Sequence, residues 1–254
     1  HNAVRIIMEN CNKKTLTEKE KANVVQVLMP SYVAETKKYL PHTSVVWIPN
    51  VVESVIPEKQ ACLGRKKEHY QIITVGRIDG VQKQTHILVK AFASLAQKYP
   101  QWDLWIWGEI KKREYYQSVC QIIKEKGLVN RVHLAGTTIA IRNKLRNADI
   151  FAFPSAFEGF PLALTEAMAS GLPSIGFKSA DAVNELIVDG KNGILCEDGV
   201  QNFARGLESL MKDSDLRAAM GHQAVIDMKQ YEPEIVWNQW QKLIDDQIRQ
   251  ASQA

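Results

Sequence analysis

The chain has 254 residues, 45% of them hydrophobic and 24% charged, with a formal net charge of +4. That composition supports one large α/β domain, or one domain and part of another, and the charge is too small to imply a nucleic-acid partner. No apolar run approaches the roughly 20 residues that span a bilayer, and Cys11, Cys62, Cys120 and Cys196 are too scattered for a CxxC redox or zinc motif. The expectation is free thiols in a reducing cytosol. The chain opens at His1 without a Met, which reads as an incomplete first domain.

A long polar helical pattern is expected from Val4 to about Ala22, then a strand at Val24–Met29 and a helix around Tyr32–Leu40. By itself this is one β-α unit without the rest of its sheet. Val45–Ile48 is a short strand stopped by Pro49-Asn50, and residues 54–69 read as a connecting segment with the basic run Arg65-Lys66-Lys67. Gln71–Val75 is a strand ending at Gly76, followed by a helix from about Lys83 to Lys98 with Ile87, Leu88, Ala91, Phe92 and Leu95 on one face. The pattern then repeats. Strands are expected at Leu104–Trp107, Val132–Ala135, Ile150–Phe153, Ser174–Gly176 and Gly193–Cys196. The helices between them fall at about 113–126, 139–147 and 162–170, and helices dominate from Val200 onward. Trp102, Trp105 and Trp107 alternate as strand packing requires.

Repeated strand–helix units with apolar strands predict an α/β fold, a Rossmann-like parallel sheet with helices on both faces. Ligands of such sheets bind at the carboxyl ends of the strands. Those ends carry Gly76-Arg77, Gly108-Glu109, Gly136-Thr137 and Pro154-Ser155.

Within that set, Glu158-Gly159-Phe160-Pro161-Leu162-Ala163-Leu164-Thr165-Glu166 follows a buried strand and opens a helix. Gly159 lets a backbone come close to a ligand, and free amides at a helix start hold phosphate or sugar oxygens. Two carboxylates there accept bonds from vicinal hydroxyls. The same residues equally describe an acidic helix start favoured by the helix dipole. Arg77 and Lys83 converging at a strand end would neutralise a diphosphate; taken singly, each reads as a solvated cation. No GxGxxG and no GxxxxGK[ST] occurs, which disfavours a dinucleotide oxidoreductase or a P-loop enzyme. The six histidines show no metal-ligand spacing, so no metal site is expected.

The runs Val75-Gly76-Arg77…Lys83, Val132–Gly136, Phe153–Pro173, Asn184–Ile187 and Asn192-Gly193 resemble glycosyltransferase family 4, of the GT-B fold, over about residues 45–245. The resemblance implies a retaining transferase that moves a hexose-type sugar from a UDP-, GDP- or ADP-sugar to a glycan or lipid-linked acceptor. It implies no cofactor and no strictly required metal. Arg77 and Lys83 would bind the diphosphate, Glu166 the ribose and Glu158 the transferred sugar, with Arg77, Lys83 and Glu158 as the catalytic set. Gly76, Gly108, Gly159, Phe160, Pro161 and Leu162 would line the donor, and Leu134, Gly136 and Thr137 would border the base. The implied layout is residues 1–50 as a remnant of an N-terminal acceptor domain, 51–235 as the donor domain, and 236–254 as a helix packing back toward the first. An alternative is a non-catalytic nucleotide-sugar-binding module. A cytoplasmic location is expected, with peripheral contact to the inner membrane face through the rest of the N-terminal domain. Three departures from the family pattern stand out: Gln84 in place of a small residue, Gly108-Glu109-Ile110-Lys111 in place of a richer glycine turn, and Ser179-Ala180-Asp181 in place of a double glycine.

Overall fold

The computed structural model describes residues 6–8 and 22–253. By its contacts the chain divides into two compact units, residues 54–229 and a second made of residues up to 53 together with 230 onward.

The second unit starts with a parallel sheet ordered β1 (Ile6–Met8), β2 (Val24–Val27), β3 (Ser44–Trp47), with helix α1 (Pro30–Tyr39) between β2 and β3. This corrects two expectations. Residues 6–8 are a strand, not part of a helix, because the β-branched pair Ile6-Ile7 fits a pleated surface better than a helical turn. The rest of the Val4–Ala22 expectation lies outside the described residues. Nor is this region a lone β-α unit. Val25, Val27, Leu40 and Val45 form a small buried cluster, with Tyr32, Val33 and Trp47 packed against it. Pro30 opens α1, where its missing N–H costs nothing. The last helix of the chain belongs to the same unit. Its lead-in is tied there by the Val52 amide, which donates to the Tyr231 carbonyl at 2.8 Å.

The larger unit runs β4 (Tyr70–Val75), α2 (Thr85–Leu95), β5 (Trp102–Trp107), α3 (Arg113–Glu125), β6 (Val132–Gly136), α4 (Ile141–Asn147), β7 (Ile150–Phe153), α5 (Leu162–Ala169), β8 (Ser174–Phe177), α6 (Val183–Leu186), β9 (Gly193–Cys196), α7 (Val200–Lys212) and α8 (Ser214–Met228). The chain's final helix is α9 (Pro233–Gln253). The six strands are all parallel, in the order β6-β5-β4-β7-β8-β9. Every residue of β7 and β8 is buried, as a sheet covered on both faces requires. Helix α2 buries Leu88, Val89, Ala91, Phe92 and Leu95 and packs against α3 and α7, while α5 packs against α8. Each such side chain fully removed from water contributes about 1.5–3 kcal/mol. Trp102 is fully buried, whereas Trp105 and Trp107 point to the opposite face of β5 and are only partly covered.

The order matters for function. The chain winds outward from β4 through β5 to β6, then crosses back to β7 and winds the other way. The reversal lies between β4 and β7, and in sheets of this kind the ligand crevice lies outside the carboxyl ends at that point. The entry ends of the same two strands are pinned by Asp149. Its Oδ2 accepts from the Gln71 amide at 2.8 Å, its own amide donates to the Gln71 carbonyl at 2.8 Å, and Lys67 Nζ lies 2.8 Å from Oδ1. Burial pushes the Asp149 carboxyl up, against the opposing pull of Lys67 and the Gln71 amide.

Candidate functional site

Three glycines end the three strands on one side of the reversal. The Gly76 amide donates to the Trp107 carbonyl at 2.9 Å, and the Gly108 amide to the Gly136 carbonyl at 2.7 Å. Gly108 has φ +152°, and a Cβ there would sit 1.9 Å from the Gly76 carbonyl oxygen. No side chain fits at Gly108, so the middle of the three strand ends is bare backbone. The departure at residues 108–111 is accommodated because the Ile78 amide donates to the Glu109 carbonyl at 2.9 Å and Lys111 Nζ pairs with Glu109 at 2.7 Å.

The loop after β4 carries the two candidate cations. Asp79 organises it: Oδ1 accepts from the amides of both Gln82 and Lys83 at 3.2 Å. Helix α2 therefore starts at Thr85, later than expected, and Lys83 stands in the loop. Gln84 links the two with left-handed backbone (φ 36°), an uncommon conformation for a residue with a side chain. The Tyr115 hydroxyl braces the loop from α3 by accepting from the His86 amide at 2.9 Å.

Arg77 is exposed, and its Nη2 donates to Gln82 Oε1 at 3.0 Å. Gln82 Nε2 in turn donates to the Phe157 carbonyl at 3.0 Å, and the Ala156 amide donates to the Gln82 carbonyl at 2.8 Å. Gln82 thus stitches the loop after β4 to the loop after β7. Lys83 completes the link. Its Nζ lies 2.5 Å from Glu158 Oε1 and 4.7 Å from the centroid of the Phe153 ring. Both side chains are largely covered, at 16% and 8% exposure. Ser155 is fully buried beside Lys83, and its Oγ has no hydrogen-bond partner among the described residues.

Glu166 stands one turn into α5 and is half-buried. Burial pushes its carboxyl above the usual carboxylate range, and the charge of Arg142 opposes this. Not every amide at the α5 start is available to a ligand. Those of Leu164 and Thr165 donate to the Pro161 carbonyl, at 2.9 and 3.1 Å, and that of Leu162 donates to the Phe160 carbonyl at 3.0 Å. Gly159 is exposed, with open space where a Cβ would be. Phe160 and Pro161 are buried, and the Leu162 side chain is exposed.

Leu134 is partly buried in β6, and Gly136 and Thr137 are exposed beyond it. Trp105 stacks on His133 at 4.1 Å, and Lys144 Nζ lies 5.1 Å over the Trp107 ring. In the third departing segment, Ser179 Oγ donates to Asp198 Oδ1 at 2.5 Å and Ala180 is fully buried. Among the described residues no three His, Cys, Asp or Glu side chains converge on one point, and no helix is long and apolar enough to cross a membrane.

The structure therefore brings Arg77, Lys83 and Glu158 together through two loops, sets the three glycines at neighbouring strand ends, and puts Glu166 one turn into α5. Asp79, Gln82, Ser155 and Tyr115 also build the site. Ser155 was expected there from its place at a strand's carboxyl end, and Asp79, in an Asp-Gly turn, carried a local signal in the sequence. The others act through contacts with distant residues.

Residues 55–225 match the family described as glycosyl transferases group 1. An uncharacterized glycosyltransferase of Haemophilus influenzae is 28% identical over 180 residues, covering 70% of this chain and 50% of that protein, so the chain spans about half the length of this curated relative. The C-terminal domain of a group 1 glycosyl transferase from Francisella tularensis is 32% identical, with a TM-score of 0.58, covering 65% of this chain and 87% of that domain. The pneumococcal O-GlcNAc transferase GtfA, solved with UDP and GlcNAc, is 21% identical with a TM-score of 0.82, covering 93% of this chain and 47% of that one.

Proposed function

Because the chain belongs to the group 1 glycosyl transferase family, we propose that the unit 54–229 binds the nucleotide-sugar donor of a retaining transfer reaction in the crevice between β4 and β7. The observation that carries the reading is the double link across that crevice, Arg77–Gln82–Phe157 beside Lys83–Glu158. It fixes two cations and a carboxylate at the one place where this sheet order accepts a ligand.

In this reading Arg77 and Lys83 neutralise the diphosphate, first in the bound donor and then as leaving group. Charge held in place in a covered crevice stabilises a developing anion with little reorganisation. The row Gly76, Gly108 and Gly136 lets the pyrophosphate lie on backbone. Glu158 contacts the transferred sugar and Gly159, Phe160, Pro161 and Leu162 shape its pocket. Glu166 accepts the ribose hydroxyls, and Leu134 and Thr137 border the base. Charge neutralisation is assigned to side chains rather than to a metal ion. UDP is one donor nucleotide to try first, since GtfA was solved with it. A hexose-type sugar, a glycan or lipid-linked acceptor and a cytoplasmic site at the membrane's inner face belong to the same proposal, for the protein of which this chain supplies the donor side.

The test is calorimetric titration of the chain with UDP, GDP and ADP. Stoichiometric binding of at least one supports the reading, and binding of none rejects it.

A further inference from the structure

The opposite end of the same sheet holds a second concavity. It opens beside the entry ends of β4 and β7 and measures 860 Å³, within the size range of small-molecule sites. Its wall includes Arg65, Lys66 and Lys67 from the segment before β4 and Arg146 from the end of α4, with Glu58 as its one carboxylate and Cys62 on its surface. Lys67 is held in place by the buried Asp149 at 2.8 Å. Arg65, Lys66 and Arg146 are exposed, and their side chains make no ion pair among the described residues.

We propose that this pocket binds a phosphate-bearing anion, separately from the donor crevice. With Lys67 neutralised by Asp149, three cations still face the one carboxylate of Glu58, so the wall is short of negative charge. Two guanidinium forks and two ammonium groups match the several oxygens and multiple charge of a phosphate better than a single carboxylate. No aromatic ring lines the pocket, so it offers no stacking platform for nucleobases. Its place before β4 and β7, where the donor loops follow those strands, lets both sites be filled at once. The inference goes beyond the donor reading and does not rest on it.

Cys62 supplies the probe, since it is an exposed free thiol in the pocket wall. The 254-residue chain is alkylated with iodoacetamide, and the Cys62 peptide is followed by mass spectrometry with and without inorganic tripolyphosphate. Co-sedimentation with phosphatidylglycerol vesicles is measured in parallel. Each arm is repeated on Arg65→Ser/Lys66→Ser/Arg146→Ser and on a control of equal charge change, Lys124→Ser/Lys191→Ser/Lys212→Ser. Tripolyphosphate is expected to slow Cys62 alkylation in the wild type and the control, and to leave the pocket variant's rate unaltered. Protection by tripolyphosphate without vesicle binding identifies a free phosphate-bearing anion, rather than a lipid headgroup, as the ligand. Vesicle binding that falls about 100-fold in the pocket variant alone identifies a lipid headgroup, since each basic residue near an anionic surface adds about fivefold. Absence of both effects in the wild type overturns the proposal, as does a pocket variant that responds like the control.

Discussion

Lys83 Nζ lies 2.5 Å from Glu158 Oε1, so the cation proposed to meet the donor diphosphate and the carboxylate proposed to meet the sugar form one ion pair. They come from loops 75 residues apart in sequence. Neither can be altered without changing the electrostatics of the other.

This coupling sets the first prediction. Lys83→Ala removes a charged hydrogen-bond donor, worth about 1.5–3 kcal/mol of diphosphate binding, and also leaves the Glu158 charge facing the phosphates. Glu158→Gln releases Lys83 from its partner and should tighten nucleoside diphosphate binding while weakening the added effect of the sugar. The double variant should therefore bind better than the sum of single effects implies, by about 0.5–3 kcal/mol. Calorimetry on the four proteins measures the coupling, and strict additivity would show that the pair does not act as a unit in binding.

Gly108→Ala should be severely destabilising, because its Cβ would stand 1.9 Å from the Gly76 carbonyl oxygen, a backbone atom that cannot swing aside. The expected cost is about 3 kcal/mol, from overpacking and unfavourable backbone geometry together. Chemical denaturation reads it out. Gly159→Ala, where a Cβ meets open space, should leave stability nearly unchanged.

The raised Glu166 carboxyl gives a pH signature. If its ionised form accepts the ribose hydroxyls, nucleoside binding is strongest well above its pKa and weakens as pH falls through it. Because burial raises that pKa, the loss should begin above the usual glutamate value of about 4.3. Titrations of nucleoside binding between about pH 4 and 8 check this, and Glu166→Gln should flatten the profile. A profile unchanged in Glu166→Gln would remove Glu166 from the nucleoside contact.

Much of this was readable in the chain. Apolar runs mark every strand of the larger sheet, closed by glycine in β4, β5 and β6, and period-3.6 faces mark its helices, because burial on both sides leaves a strong pattern. Glu158 and Glu166 were legible from their position after a buried strand. The Lys83–Glu158 pairing was not, since nothing in either segment names the other. The Gln82 bridge was hidden for the same reason, and Gln84 could announce its left-handed backbone only by departing from the family pattern. Asp79 shortened the helix expected at Lys83 by drawing two amides into the loop. At the chain's start, polar residues around Ile6-Ile7 mimic a helical period, and only the pairing of Ile6 with Val24 reveals a strand.

Lys67 and Asp149 yield a stability prediction with a definite sign. Lys67→Met takes the ion-pair partner from a buried carboxylate and leaves only the charge of Arg217 to oppose its burial, at a cost of up to about 3 kcal/mol near neutral pH. Burial already holds the folded-state pKa of Asp149 above its unfolded value, and losing Lys67 lifts it further. The folded protein then binds the proton more tightly than the unfolded chain. Stability of the variant should be greatest below about pH 3.9, as far as this group contributes, and should fall as pH rises through the folded-state pKa. Denaturation of wild type and variant at a series of pH values tests it. A difference between them that stays constant with pH would mean the Asp149 charge is not the cause.

The most direct test of the donor reading separates phosphate from nucleoside. The nucleoside diphosphate that binds wild type is titrated into Arg77→Ala, beside the matching nucleoside. The account predicts a loss of about 1.5–3 kcal/mol for the diphosphate and almost none for the nucleoside. Equal losses for both, or an unchanged affinity for the diphosphate, would contradict a crevice in which Arg77 meets the phosphates.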